Sequence, residues 1–477
     1  MADINLGVGG ANSASGSYDI DNSLKFEADN SEYLSRTPSS AGNRKTWTLS
    51  CWVKRTELTA DSNSAGNQHM ILSAGDTYIQ FDGNAIWVNF RTSSVNYFLA
   101  TNRLFRDTSA WYHIVLVCDT TESTASNRAK LYINGVQETS LQNSTYSNMS
   151  QNYDTGINNS VEHEVGKYTL HETTYANFFC GYIAEMHLVD GTALAPTDFG
   201  ETDDSGIWKP KQYTGSHGTN GFYLDFEDSS SLGADASANS NNFSLTNIAA
   251  ADQATDTPTN NFCTLNPLSA GGNRGNVITE GATKVVIENS GQQVAVGTIA
   301  VSSGKWYWEA KHTSGTYQVA GIISADSRVS GNGAVADSSV AGSDAIGFYR
   351  PNGYVYYNGT GTTFDTNSYS NGDIVGVALD MDNGTCALYK NGSIMGNVSG
   401  TDIVARSGHA SLTGDWTAFY SDGTNGNYDI TYEVNFGGYQ SYTISSGNSD
   451  ANGYGNFEYA PPSGYYALCS KNLAEYG

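Results

Sequence analysis

Through most of this chain apolar and polar residues alternate one by one, in short runs broken by Gly, Asn, Asp and Ser. That period of two is the signature of strands with one buried and one open face. In KTWTLSCWVKR, Trp47, Leu49, Cys51 and Val53 fall on one face and Thr48, Ser50 and Trp52 on the other. WYHIVLVCD (111–119) is nearly all apolar and rich in β-branched residues, as a central sandwich strand should be. AKLYINGVQ runs into Asn134-Gly135, a pair that tolerates the positive φ angles of a tight hairpin turn. No stretch predicts a helix longer than a turn or two.

A second strand-rich block spans 277–437, with GKWYWEAKH, QVAGIIS, DAIGFYR, GYVYYNG, DIVGVALDMD, TCALYKNG and YEVNFGG. Its turns carry Asn352-Gly353, Asn358-Gly359, Asn383-Gly384 and Asn391-Gly392, again a hairpin signal. The first block spans 21–228. Between them, 229–276 is small, polar and poor in aromatics, and reads as an exposed linker with one added strand at NNFSLTNI. Residues 1–20 have too few apolar anchors for a core and read as an N-terminal arm. The tail 438–477 holds enough Tyr to pack back onto the second block.

At 477 residues the chain exceeds one sandwich core, and two or three domains are expected. A net charge of −25 repels a polyanion at long range and argues against direct nucleic-acid binding. No run approaches the roughly 18 apolar residues of a membrane helix, and MADINLGVGG lacks the regions of a signal peptide. The expectation is a soluble protein that accumulates in the cytosol of the producing cell. Cys51, Cys118, Cys180, Cys263, Cys386 and Cys469 lie far apart with no CxxC pair, and are expected to be small buried core residues. The Asn-x-Ser/Thr triplets at Asn143 and Asn358 are chance matches in so Asn- and Ser-rich a chain.

TWTLSCWVKR, the pair WYHIVLVCD and AKLYINGV, and the closing GYIAEMHLVDGTALAP, in that order, resemble the laminin-G-like branch of the concanavalin-A-like jelly rolls. GKWYWEAK, GIISADS, DAIGFY, GDIVGVALDMDNGTCALYKNG and the late EVNFG resemble the SPRY domain, a related bent sandwich. The resemblances imply an all-β protein of two concanavalin-A-like antiparallel β-sandwiches (jelly rolls) in tandem. The combination, joined through GFYLDFEDSSSLGADASANSNNF and TDTPTNNFCTLNP, is similar to surface proteins of tailed bacteriophages of marine bacteria. It implies a non-catalytic fibre, spike or capsid-surface appendage, assembled in the host cytoplasm and placed on the virion surface. The expected partners are other virion proteins, further copies of the chain and a host-surface glycan. The alternative is a structural decoration that contacts mainly other virion proteins.

Some concanavalin-A-like sandwiches are glucanases, which need two carboxylates about 5 Å apart. The nearest candidates are Glu185 and Asp190 in AEMHLVD, five apart and so on opposite strand faces. Glu162 and Glu164 in VEHEVG have a same-face spacing but no third acid. Catalysis is therefore not expected. The jelly-roll resemblance implies a calcium ion at the sandwich rim, and Asp225, Glu227, Asp228 and Asp235 offer hard oxygen donors for one. A solvated acidic loop is the plainer reading. For sugar stacking, flat aromatics are available at Trp87, Tyr97 and Phe98 in the first block and at Tyr354, Tyr356 and Tyr357 in the second. Tyr354 and Tyr356 share one strand face and Val355 and Tyr357 the other, so one set is expected in the core. The SPRY resemblance adds the loop at 329–339 as a partner-binding rim.

Overall fold

The computed structural model describes residues 18–58, 68–91, 96–145, 149–169, 176–268, 276–287, 294–325, 345–350, 353–357, 360–363, 369–395, 412–422 and 430–477. Strands dominate, and the one α-helix among the described residues is Ser470–Tyr476. The chain divides into two compact units that meet at Thr259 and Asn260.

The first unit is a sandwich of two eight-stranded antiparallel sheets. The back sheet runs Val136–Gln137, Ala129–Ile133, Trp111–Asp119, Thr46–Arg55, Gly181–Asp190, Ser23–Phe26, Gln253–Ala254, and Phe222–Leu224 also pairs with Gly181–Asp190. The front sheet runs Leu141–Ser144, Asn96–Thr101, Ala85–Arg91, Thr77–Asp82, Gln68–Ala74, His163–Val165, Tyr33–Arg36, Ser244–Thr246. Trp47, Leu49, Cys51 and Val53 enter the core between them, with Ile79, Phe81, Val88 and Phe90 from the front sheet. Asn134 (φ 49°) and Gly135 (φ 78°) form the expected hairpin turn.

The back sheet is closed on its outer face as well. Gly181–Asp190 is buried at every position, and Thr46–Arg55 at all but its first. Part of the cover is the hairpin of Gly200–Thr202 and Trp208–Pro210. The Trp208 indole donates to His113 Nδ1 at 3.0 Å, and His113 Nε2 lies 2.8 Å from Ser50 Oγ. An indole N–H can only donate, so Nδ1 accepts and the imidazole proton sits on Nε2, facing Ser50. Burial lowers the His113 pKa to about 3, which keeps this arrangement neutral.

Residues 229–259, the larger part of the expected linker 229–276, are not an exposed connection. Leu232 and Phe243 belong to the first core, Ser244–Thr246 pairs with Tyr33–Arg36, and Gln253–Ala254 pairs with Ser23–Phe26. Asp252 and Asp256 reach Lys25 and Lys54 at 2.9 and 2.6 Å. Past the division, Cys263 and Leu265 lie in the second core, while 269–275 fall outside the described residues. Low apolar content misleads here, because the segment is held by backbone pairing and by carboxylates that neutralise buried lysines. Of the expected N-terminal arm, residues 1–17 lie outside the described residues. Ile20 is buried and its N–H donates to Thr259 Oγ1 at 3.0 Å, so the arm reading fails at its inner end.

The second unit pairs another two sheets. One runs Asn276–Thr279, Lys284–Ile287, Ile430–Asn435, Lys305–Ser314, Ile374–Asp380, Thr385–Lys390, Ser393–Ile394. The other runs Val294–Val296, Trp416–Asp422, Gln318–Ser324, Ala345–Tyr349, Tyr354–Tyr357, Thr360–Thr363. Trp306, Trp308, Ile322, Phe348 and Val377 lie in the core between them. The tail packs on this unit: Tyr466–Ala467 pairs in parallel with Lys305–Ser314, and Phe457 meets Tyr307 edge-on at 5.2 Å. The Glu309 carboxylate is buried and accepts from Tyr307 and Tyr442 hydroxyls and from the backbone N–H of Glu458 and Tyr459. All six cysteines are buried thiols, as their sequence setting predicts.

Candidate functional site

The outer face of the front sheet in the first unit carries the aromatics that the sequence singled out at Trp87 and Phe98. Period-two alternation builds that face. In Ala85–Arg91, Ile86, Val88 and Phe90 point into the core, leaving Trp87, Asn89 and Arg91 on the outside. In Thr77–Asp82 the same logic turns Tyr78, Gln80 and Asp82 outward. Register aligns the two strands: Gln80 stands opposite Trp87 and Tyr78 opposite Asn89. On the far side Ala100 stands opposite Trp87 and Phe98 opposite Asn89.

The half-buried Trp87 and Phe98 rings stack with centroids 5.2 Å apart and planes 16° from parallel. The Asn89 amide nitrogen donates to the Tyr78 hydroxyl at 2.9 Å, and the Tyr78 ring stacks on Tyr168 at 4.7 Å. Burial raises the Tyr78 pKa, so the phenol stays protonated. Gln80 and Asn89 are 3% and 8% exposed, and Gln80 Oε1 and Asn89 Oδ1 have no hydrogen-bond partner. A buried carbonyl left without a donor costs about 1–3 kcal/mol, and both of these oxygens lie beneath the surface of the face, closed to solvent. Farther along the face, Lys167 bonds Glu164 at 2.9 Å and lies 4.0 Å over the Tyr33 ring.

The sequence candidates scatter. Trp87 is on this face, but Tyr97 is not: it stands opposite the core residue Phe90, packs against the core and meets Tyr153 edge-on at 5.8 Å. The stacking partner of Trp87 is Phe98. NYFLAT is apolar at both alternations, so its pattern could not say which aromatic faced out, whereas the alternation of TYIQFD and AIWVNFR already carried Tyr78, Gln80 and Asn89. Tyr354 and Tyr356 hold strand positions opposite Tyr349 and Gly347, with Val355 between them in the core. Their side chains, Tyr357's and the loop 329–339 fall outside the described residues.

Asp225, Asp228 and Asp235 do not gather into one cluster of side chains. Asp235 spends its carboxylate on the backbone N–H groups of Tyr223, Ser237 and Asn241 at 2.7–2.9 Å. Asp228 is exposed and caps Ser230, and Asp225 accepts from the Glu227 N–H at 3.2 Å. No cluster of three or more acidic, His or Cys side chains suited to a metal occurs among the described residues.

The glycosidase candidates are likewise committed. Glu185 sits at a β-bulge with φ 49°, accepting from Tyr18 at 3.0 Å and Tyr223 at 2.5 Å, and its carboxylate lies 3.4 Å from His187. Asp190 falls in register with core-facing Trp47 and accepts from the N–H groups of Asn43 and Asn220 and the Asn158 amide. Glu164 pairs with Lys167, and Glu162 is exposed just before the strand His163–Val165.

Residues 28–198 match the concanavalin A-like lectin/glucanases superfamily, and residues 305–401 match the SPRY domain. No curated protein matches the chain. Among solved structures, the SPRY domain of human HERC1 is 16% identical with a TM-score of 0.28, covering 36% of this chain and 96% of that one. A structure from Bacteroides ovatus, described as a candidate carbohydrate binding protein, is 13% identical with a TM-score of 0.32 over 48% of this chain and 59% of that one. A further human SPRY domain is 14% identical with a TM-score of 0.24, covering 34% and 94%. The chain is thus an all-β protein that carries a concanavalin A-like lectin/glucanase domain followed by a SPRY domain.

Proposed function

We propose that this chain is a non-catalytic binding protein whose concanavalin A-like domain holds a host-surface glycan through the outer face of its front sheet. The half-exposed Trp87–Phe98 stack carries the reading, since flat paired rings beside amide groups suit the apolar faces and hydroxyls of a sugar. The non-catalytic part rests on Glu185 and Asp190, which stand on opposite faces with their oxygens already bonded. We place the protein on the surface of a tailed-bacteriophage particle, as fibre, spike or capsid appendage. That placement is supported by the sequence resemblance alone. A glycan array with the purified chain and its Trp87→Ala variant tests the binding, and gold-labelled antibody on purified particles tests the location. No glycan signal above background, or no label on particles, would reject the respective half.

A structural decoration is the second reading. It is favoured by Val136, 64% exposed on the edge strand Val136–Gln137 of the back sheet, where a neighbouring copy could add a strand. Particles that assemble unstable or incomplete without the protein, with no glycan bound, would select it.

A further inference from the structure

We propose that the first unit closes on itself with a covalent bond: the Lys25 amine and the Asp252 carboxyl condense to an isopeptide, while Glu32 carries the protons that leave as water.

These groups meet on the outer face of the back sheet. Leu24 and Phe26 lie in the core, so strand alternation turns Lys25, between them, the other way. Lys25 Nζ lies 2.9 Å from Asp252 Oδ1, and 2.9 and 3.1 Å from the two Glu32 oxygens. Lys25, Glu32 and Asp252 are 1%, 2% and 7% exposed. Amide formation needs an amine, an acid and a proton carrier in contact and away from water. Contact replaces a bimolecular encounter, and a dry site opposes the reverse hydrolysis. Burial raises the Glu32 pKa to about 7, so its carboxylate can take a proton from an ammonium and give it up again. Asp252 Oδ2 accepts from the Ala249 N–H at 2.8 Å, a bond that fixes the carboxyl group and stabilises the charge gathering on that oxygen under attack.

The atoms balance without a further reactant. The Lys25 ammonium passes a proton to Glu32, the freed lone pair forms a bond to Asp252 Cγ, and the Cγ–Oδ1 bond breaks. Of the ammonium's protons, two travel by way of Glu32 onto Oδ1 and depart with it as water. The last stays on the new amide nitrogen, Oδ2 becomes the amide carbonyl, and Glu32 ends ionised as it began. Lys54 and Asp256 supply an internal comparison. Lys25 and Lys54 both stand in register with Tyr182, and Lys54 Nζ lies 2.6 Å from Asp256 Oδ2. There the other Asp256 oxygen takes the Trp111 indole, which holds on to its proton, so this pair stays ionic. The bond at Lys25 ties the strand Ser23–Phe26 to the turn Ala250–Asp252, which leads into its neighbour Gln253–Ala254.

The test is mass spectrometry of the full chain, first intact in denaturant and then digested with a lysine-specific protease. The expected results are a mass one water below that of the sequence, no cleavage after Lys25, and a branched peptide joining the segments around Lys25 and Asp252. Glu32→Gln keeps the shape of the side chain but cannot carry the proton, and is expected to restore both the full mass and cleavage at Lys25. A cooperative melting transition shows that this variant is folded. Wild-type chain that is folded yet cleaved after Lys25, with linear peptides on both sides, would overturn the proposal whatever the variant does. A water loss confined to one linear peptide would overturn it as well, as would a link that persists in folded Glu32→Gln or one that joins Lys54 to Asp256 in place of Lys25 to Asp252.

Discussion

Lys54 Nζ and Asp256 Oδ2 lie 2.6 Å apart with 0% and 1% of their side chains exposed, although 202 residues separate them in the chain. The Trp111 indole donates to the other oxygen of Asp256 at 3.0 Å, and Ser23 Oγ donates to its backbone carbonyl at 2.7 Å. A single residue of the polar segment after the first block thereby ties together three strands of the back sheet.

Removing the acid alone should be far worse than removing the pair. Asp256→Ala leaves the Lys54 ammonium buried without its ion-pair partner and is expected to destabilise the chain by about 3–5 kcal/mol. The double variant Lys54→Met with Asp256→Leu should recover most of that loss. Urea titration of the three proteins checks both, and a single variant no weaker than the double would contradict the assignment.

The same pair fixes where the first unit ends. A fragment of residues 18–259 is expected to unfold cooperatively, whereas 18–228 loses the strands Ser244–Thr246 and Gln253–Ala254, Phe243 in the core, and the Asp252 and Asp256 carboxylates that reach Lys25 and Lys54. Circular dichroism on heating distinguishes them, and an equally stable 18–228 would show residues 229–259 to be dispensable.

Acid should unfold the protein well before its surface carboxylates are all neutral. Burial lowers His113 and His312 to about 3 and His163 and His217 to about 4. Between those values and the ordinary histidine pKa near 6.5, the unfolded chain binds protons that the native one refuses. Stability therefore rises with pH across this window and is lost as pH falls, by up to about 1.4 kcal/mol per pH unit for each histidine. Glu32, raised by burial to about 7, acts oppositely between about 4.5 and 7, since there the native state holds the extra proton. Glu309, Asp225 and Glu227, also raised by burial, act with Glu32, while Asp228, Asp373, Asp380 and Glu458, lowered by their hydrogen bonds, act with the histidines. His113→Gln should flatten the dependence of the melting temperature on pH between 4 and 6.5, and an unchanged slope would exclude a neutral buried imidazole at this position.

Gly135 is needed for more than its turn. A Cβ there would stand 2.4 Å from the Trp208 ring, in addition to the strain of a left-handed φ of 78°. Gly135→Ala is expected to displace Trp208 and break its bond to His113, at a cost of about 2 kcal/mol or more. Near-ultraviolet dichroism and urea unfolding report the two effects, and a variant silent in both would show that the indole packs elsewhere.

Much of this was legible in the residues. The alternation in KTWTLSCWVKR, the run at 111–119 and the Asn-Gly turns each describe a neighbourhood a few residues wide, and local geometry follows from them. Three things were not legible. Residues 229–259 have little apolar surface, and their role depends on lysines two hundred positions earlier. Tyr97 sits in NYFLAT, where both faces read as apolar and only register with Phe90 decides. Asp225, Asp228 and Asp235 resemble metal ligands by type, but Asp235 turns inward on its own loop's amides, and no spacing rule sees that.

The parallel strand Tyr466–Ala467, together with the four bonds that Glu309 accepts from Tyr307, Tyr442, Glu458 and Tyr459, bears on how the protein is made. During synthesis the first sandwich has every strand it needs once Thr259 has left the ribosome. The second must wait: the Glu309 carboxylate is short of most of its donors until Tyr459 emerges, and Lys305–Ser314 lacks one neighbour until Ala467 does. A ribosome paused between those two points would display one finished domain and one whose central strand still lacks its last partner, and it is there that a nascent chain of this protein would most need a chaperone.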